Sequence, residues 1–178
     1  MRPAKLTKVR LSDHNLELGF VVNMHNWAKL TTQQLGTYTE YFVKMELTLH
    51  GFEVYTPEVD DRGIDFIARL DGGPFLEIQV KSLRSYGYVF VEKTKIRISD
   101  TAHIALGLLF EGEPPRLFLI PSTVWERPDR VFVDHPYDKP GQSSRPEWGI
   151  NVSRKNMEIL ERYAFEAVVG RLGGRSTD

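Results

Sequence analysis

At 178 residues, 41% hydrophobic and 26% charged, the chain has the composition of an ordinary globular protein long enough to bury one core. No apolar run approaches the ~20 residues of a membrane helix, and the basic residues of Met1 to Leu6 have no apolar segment behind them, so the expectation is a cytoplasmic protein with no membrane partner. The 23 basic and 24 acidic residues nearly cancel, which leaves any polyanion-binding surface to local clustering, and the lack of cysteine removes disulfides, thiolate zinc sites and thiol nucleophiles.

Along the chain, Leu16, Leu18, Phe20 and Val22 alternate as in a strand, and residues 1–30 read as an N-terminal strand and irregular arm. From Thr31 the apolar residues Leu35, Tyr38, Phe42, Met45 and Leu49 recur at helical spacing, with His50-Gly51 as the stop. Strands are expected over Phe52 to Thr56, Ile64 to Leu70 and Phe75 to Ser82, with an acidic loop at 57–63 and a turn at Asp71-Gly72-Gly73-Pro74. Tyr88 to Val91 and Lys95 to Ile98 read as short strands, Ile104 to Phe110 as a buried central strand and Arg116 to Pro121 as its antiparallel partner. Ser122 is the expected cap of a short helical turn through Trp125, and the four prolines between 126 and 147 mark a long surface loop interrupting a short strand at Arg130 to Val133. Trp148 to Val152 reads as a strand, Ser153 as the cap of a closing helix with an apolar stripe from Ile159 to Val168, Gly170 as its end and 173–178 as a disordered tail. The whole of 31–172 is expected to be one domain.

The chemistry concentrates between Arg62 and Ser82. Strand side chains alternate faces, so Glu77, Gln79 and Lys81 point one way while Leu76, Ile78 and Val80 point into the core. A hairpin that brings Asp65 beside this trio offers oxygen ligands for a divalent cation and an ammonium for a developing phosphate charge. Read alone, Asp65 is equally a strand-edge carboxylate paired with an arginine, and Lys81 a solvated edge residue. Glu77 divides between a role in the site and a rim position. Glu40 lies four residues after Gly36 on the first helix; it either reaches the hairpin, if the Gly36 face packs closely on the sheet, or pairs with Lys44 one turn on. Lys93, Lys95 and Arg97 alternate and would present three cations on one strand face, with Arg84 before them, either to hold phosphates or to guard an edge. His50, His103 and His135 have no metal-ligand spacing and read as structural.

Leu35-Gly36-Thr37-Tyr38-Thr39-Glu40 on a helix, His50-Gly51-Phe52, Gly63-Ile64-Asp65 and Ile78-Gln79-Val80-Lys81-Ser82 together resemble the PD-(D/E)xK nuclease superfamily over about residues 31–120. The resemblance implies a restriction-endonuclease-like α/β fold, a central mixed sheet flanked by helices, built as helix, three-stranded antiparallel meander, helix and further strand. It matches Asp65 to the Asp of the motif, Gln79 to its D/E position, Lys81 to its Lys and Glu40 to the acidic residue of the first helix, and it adds the Val80 carbonyl as a metal ligand. Two positions depart from the pattern: Ile64 stands where Pro is usual, and Gln79 replaces a carboxylate, which lowers the negative charge facing a metal. The function implied is hydrolysis of phosphodiester bonds in nucleic acid, most readily DNA, with Mg2+ or Mn2+. Metal would be held by Asp65, Gln79, Val80 and Glu40, and phosphates by Arg84, Lys93, Lys95 and Arg97. Cutting both strands of a duplex favours a homodimer. The alternative is a catalytically inactive nucleic-acid- or protein-binding module on the same fold. A purely structural subunit is a third reading, if Trp27, Trp125 and Trp148 are exposed and clustered.

Overall fold

The computed structural model describes residues 25–58 and 63–174; the strand expected at Leu16 to Val22 and residues 175–178 lie outside them. Helix α1 spans Thr32–Leu49 and is closed at both ends by its own sequence. At the start, Gln34 N–H donates to Thr31 Oγ1 (3.2 Å) while Thr31 N–H donates to Gln34 Oε1 (2.8 Å), a reciprocal capping box. At the end, Gly51 takes φ +85°, and the amides of Gly51 and Phe52 donate to the carbonyls of Thr48 (3.0 Å) and Leu47 (3.0 Å), which satisfies the last turn. The buried row of α1 is Leu35, Thr39, Val43 and Leu47, whereas Tyr38, Met45 and Leu49 face outward. The helical period of the sequence is thus correct but its phase is rotated, because Thr39 is admitted to the interior by donating its hydroxyl to the Leu35 carbonyl at 2.8 Å.

Strands β1 (Glu53–Tyr55), β2 (Phe66–Arg69) and β3 (Leu76–Leu83) form an antiparallel meander. β3 then pairs in parallel with β5 (Ala102–Leu108), and β5 pairs antiparallel with β6 (Arg116–Pro121), giving a mixed sheet of order β1-β2-β3-β5-β6. The crossover from β3 to β5 contains no helix. It carries β4 (Gly87–Glu92), which joins β8 (Glu147–Val152) and β7 (Phe132–His135) in a second, three-stranded sheet of order β4-β8-β7. The short strand expected at Arg130 to Val133 forms as β7, two residues on at Phe132–His135, between Pro128 and Pro136, where its amides are free to pair.

Residues 95–98 are not a strand. Lys95 N–H closes a turn on the Glu92 carbonyl (2.8 Å), so Lys93, Lys95 and Arg97 do not line one strand face. Ser122 opens a 3-10 turn (Ser122–Glu126) without capping it; its buried hydroxyl instead accepts from Ser99 N–H at 2.9 Å. Ser153 likewise caps nothing. The closing segment is broken into α2 (Met157–Leu160), a 3-10 turn and α3 (Phe165–Gly173), because Ala164 becomes extended (ψ 135°) to bridge Phe118 of β6; Gly170 lies within α3 rather than ending it.

Two apolar layers enclose the mixed sheet. On one face Val43 and Leu47 of α1 and Phe165, Val168 and Val169 of α3 cover Phe66, Ala68, Ile78, Ala105 and Leu119. On the other, Ile104, Leu106, Phe118 and Ile120 meet Val89, Val91, Ile150 and Val152 of the second sheet. Helices α1 and α3 cover one face; the second sheet covers most of the other, where Leu160 of α2 also packs. Trp125 is buried (2% exposed) and stacked on Trp148, and Trp27 (5%) packs with Leu35 and Leu109, so the tryptophans form no exposed cluster.

Candidate active site

The β2–β3 register pairs Phe66 with Ile78 and Ile67 with Glu77, which carries Asp65 to the end of the ladder opposite Gln79. There the strands part. Asp65 N–H donates to the Ile78 carbonyl (2.9 Å), and Asp65 Oδ2 accepts from Val80 N–H (2.5 Å), so the carboxylate substitutes for a backbone acceptor where regular pairing stops. The Asp65 side chain is thereby tied to the strand that carries Gln79 and Lys81.

Alternation along β3 puts Ile78 on the α1 side and Gln79 and Lys81 on the other, next to Ile104 and Leu106 through the parallel pairing with β5. Gln79 is the unusual member. Its Oε1 is buried and has no hydrogen-bond partner among the described residues, a cost of roughly 1–3 kcal/mol if nothing fills its acceptor site. Its Nε2 faces Gly63, where a Cβ would stand 3.2 Å away and would also meet Lys95 Cβ at 3.0 Å. Gly63 adopts φ +76°, so glycine serves both the left-handed turn into the hairpin and the close approach of Gln79 and Lys95. Lys95 is thus brought to the hairpin by a turn and not, as the alternating charges suggested, by a strand.

The remaining candidates are more dispersed. Glu40 binds Lys44 Nζ at 2.6 Å, and the same ammonium donates to Thr56 Oγ1 at 3.0 Å, so the i,i+4 pairing is the contact that forms. The close approach expected at Gly36 is absent, since a Cβ there would meet nothing within 4 Å; it occurs at Gly107, whose Cβ would lie 2.5 Å from Thr39 Cγ2. Glu77 is exposed one pleat farther along β3. Arg84 donates through Nε to the Trp27 carbonyl (3.3 Å) and through Nη2 to the Leu30 carbonyl, pinning residues 27–30. Lys93 pairs with Asp134 (2.5 Å) and lies 3.9 Å over the Trp148 ring, while Arg97 is exposed. Buried His103 lies at the start of β5 with its ring bonded to the Thr101 carbonyl, as a structural histidine does.

A divalent cation needs several oxygen donors. Among the described residues no three His, Cys, Asp or Glu side chains are grouped to hold one; at this hairpin Asp65 offers a carboxylate and Gln79 a neutral oxygen. The orphaned Gln79 Oε1 fits that requirement: a buried acceptor without a donor is the partner a cation satisfies. Asp65 and Gln79 are thus oxygen donors of the kind a hard cation takes.

No family model matches the chain, and no curated protein does. Among solved structures, the fold is similar to that of a bacterial homing endonuclease, I-Ssp6803I, at TM-score 0.51 and 18% identity over 81% of this chain and 96% of that one. It is also similar to Hjc, a Holliday junction resolvase of the archaeal hyperthermophile Archaeoglobus fulgidus, at TM-score 0.43 and 14% identity over 73% of this chain and 98% of that one. The likeness is one of fold, and the fold is restriction-endonuclease-like. Among the described residues no helix is long and apolar enough to cross a membrane.

Proposed function

We propose that the chain is a metal-dependent nuclease acting on DNA, with its site at the parting of β2 and β3. The observation that carries this reading is the buried, unpartnered Oε1 of Gln79, opposite Asp65 and two residues from Lys81 on one strand face. Asp65, Gln79 and the Val80 carbonyl would hold Mg2+ or Mn2+, which when bound supplies Lewis acidity to a phosphate and lowers the pKa of a water. Lys81 would orient a water for in-line attack and offset charge on the phosphate oxygens. Asp65 keeps its carboxylate at the site through the Val80 amide, and Lys95, beside Gly63, contributes a phosphate contact.

One observation favours a second reading, the binding module without catalysis: Lys44 pairs with Glu40, which offsets the negative charge that Glu40 would bring to a metal. Incubation of supercoiled plasmid with Mn2+ separates the two. The nuclease reading expects nicked circles from the wild type and none from Lys81→Ala. Retention of the plasmid without nicking would select the binding module, and equal nicking by both proteins would refute the site.

A further inference from the structure

We propose that the outer face of the second sheet is a stacking platform for unpaired bases, so that the substrate is DNA with a single-stranded segment; this deepens the nuclease reading and rests on it for the cleavage step. The face is defined by register. Phe90 of β4, Gly149 of β8 and Val133 of β7 are in line, as are Glu92, Glu147 and His135, with Tyr88 beside Asn151. On β4 the inward residues Val89 and Val91 are buried, while Tyr88 and Phe90 remain 38% and 48% exposed. A sheet face turned to solvent ordinarily carries polar residues at such positions; this one carries rings.

The rings are held in place. A Cβ on Gly149 would stand 2.1 Å from Tyr88 Oη, so glycine lets the Tyr88 side chain lie across β8. Its hydroxyl donates to Glu147 Oε1 at 2.6 Å, and Tyr137 Oη donates to the same oxygen at 3.1 Å. Burial and this hydrogen bond push the Tyr88 phenol well above its usual range, which keeps the donor proton in place. Phe90 is nearly parallel to Tyr88 (21°, centroids 6.3 Å apart); His135 meets Tyr88 edge-on (66°, 6.1 Å) and is nearly parallel to Tyr137 (26°, 5.6 Å). Tyr137 has φ +47°, an uncommon conformation for a bulky residue, here accompanying the contact with Glu147. Two rings from β4, one from β7 and one just after it therefore lie on this face as two nearly parallel pairs, aromatic surfaces of the kind on which bases stack.

Charge and continuity point to nucleic acid as the occupant. Near the Tyr88 end, exposed Arg130, Arg154 and Lys155 flank the strands that pair there and form no ion pair among the described residues. Beyond Phe90, β4 runs into the turn bearing Lys93 and Lys95, and the Lys95 stem lies against Gly63 beside Gln79. A single strand lying on the rings would thus be led along the turn to the hairpin.

The test is fluorescence anisotropy in EDTA with labelled oligothymidine and a duplex of the same length, which measures binding without chemistry. The wild type should prefer the single strand, Phe90→Ala should weaken that binding by about tenfold, the scale of one lost base stack, and Phe90→Trp should retain it. Equal affinity for both DNAs, or an unchanged affinity of Phe90→Ala for oligothymidine, overturns the proposal. Preference for the single strand through Phe90 without Mn2+-dependent cleavage would uphold the platform and remove the nuclease reading, so the two fail separately.

Discussion

Asp65 accepts the amide hydrogen of Val80 on Oδ2 at 2.5 Å, while its own amide donates to the Ile78 carbonyl at 2.9 Å. One residue thereby closes the end of the β2–β3 ladder and holds a carboxylate beside Gln79. The two roles can be separated. Asp65→Asn retains an oxygen for the Val80 amide but removes the charge. It should unfold within about 1 kcal/mol of the wild type in denaturant titrations and lose about a hundredfold or more of Mn2+-dependent nicking. A variant that is folded and fully active would take Asp65 out of the site.

The close approach of α1 to the sheet gives a prediction about stability. Gly107 admits Thr39 Cγ2 to where its own Cβ would be, at 2.5 Å. Gly107→Ala should destabilise the fold by roughly 1–3 kcal/mol, the usual cost of overpacking. Thr39→Ser in the same chain should recover most of the loss, since serine keeps the hydroxyl bonded to the Leu35 carbonyl and drops the clashing methyl. Denaturation midpoints of the single and double variants check this directly, and no recovery in the double variant would refute the contact.

Much of this architecture was legible in the sequence, and the parts that were not have physical reasons. The ends of α1 were readable because Thr31, Gln34 and Gly51 act locally. The β2–β3 hairpin was readable from Gly63-Ile64-Asp65 and the alternation in β3. The strands of the second sheet were readable locally, but their assembly was not, because its pairings join residues 87–92 to residues 147–152 and no local pattern encodes a partner so distant. The alternating cations at 93–97 imitated a strand although Glu92 and Lys95 close a turn there. The unpartnered Gln79 oxygen and the approach of Lys95 to Gly63 depend on that same long-range packing, so the sequence could name the residues of the candidate site without placing them.

Buried His103 (3% exposed) donates from Nδ1 to the Thr101 carbonyl at 3.1 Å, since a carbonyl can only accept. Burial lowers its pKa below the usual value. The unfolded chain then binds the proton first as pH falls, so stability from this residue is complete above the unfolded value of about 6.5 and declines as pH falls from there toward the folded pKa. Unfolding free energies of the wild type should therefore drop more between pH 7.5 and pH 5.5 than those of His103→Asn; parallel pH profiles would contradict the assignment.

Calorimetric titration of Mn2+ into the wild type and Gln79→Glu tests whether the parting of β2 and β3 holds a divalent cation through Asp65 and Gln79. The wild type should bind measurably and the variant at least about tenfold tighter, because the added carboxylate raises the ligand charge at the oxygen that has no partner among the described residues. No heat of binding in the wild type, or the same affinity in both proteins, would contradict it.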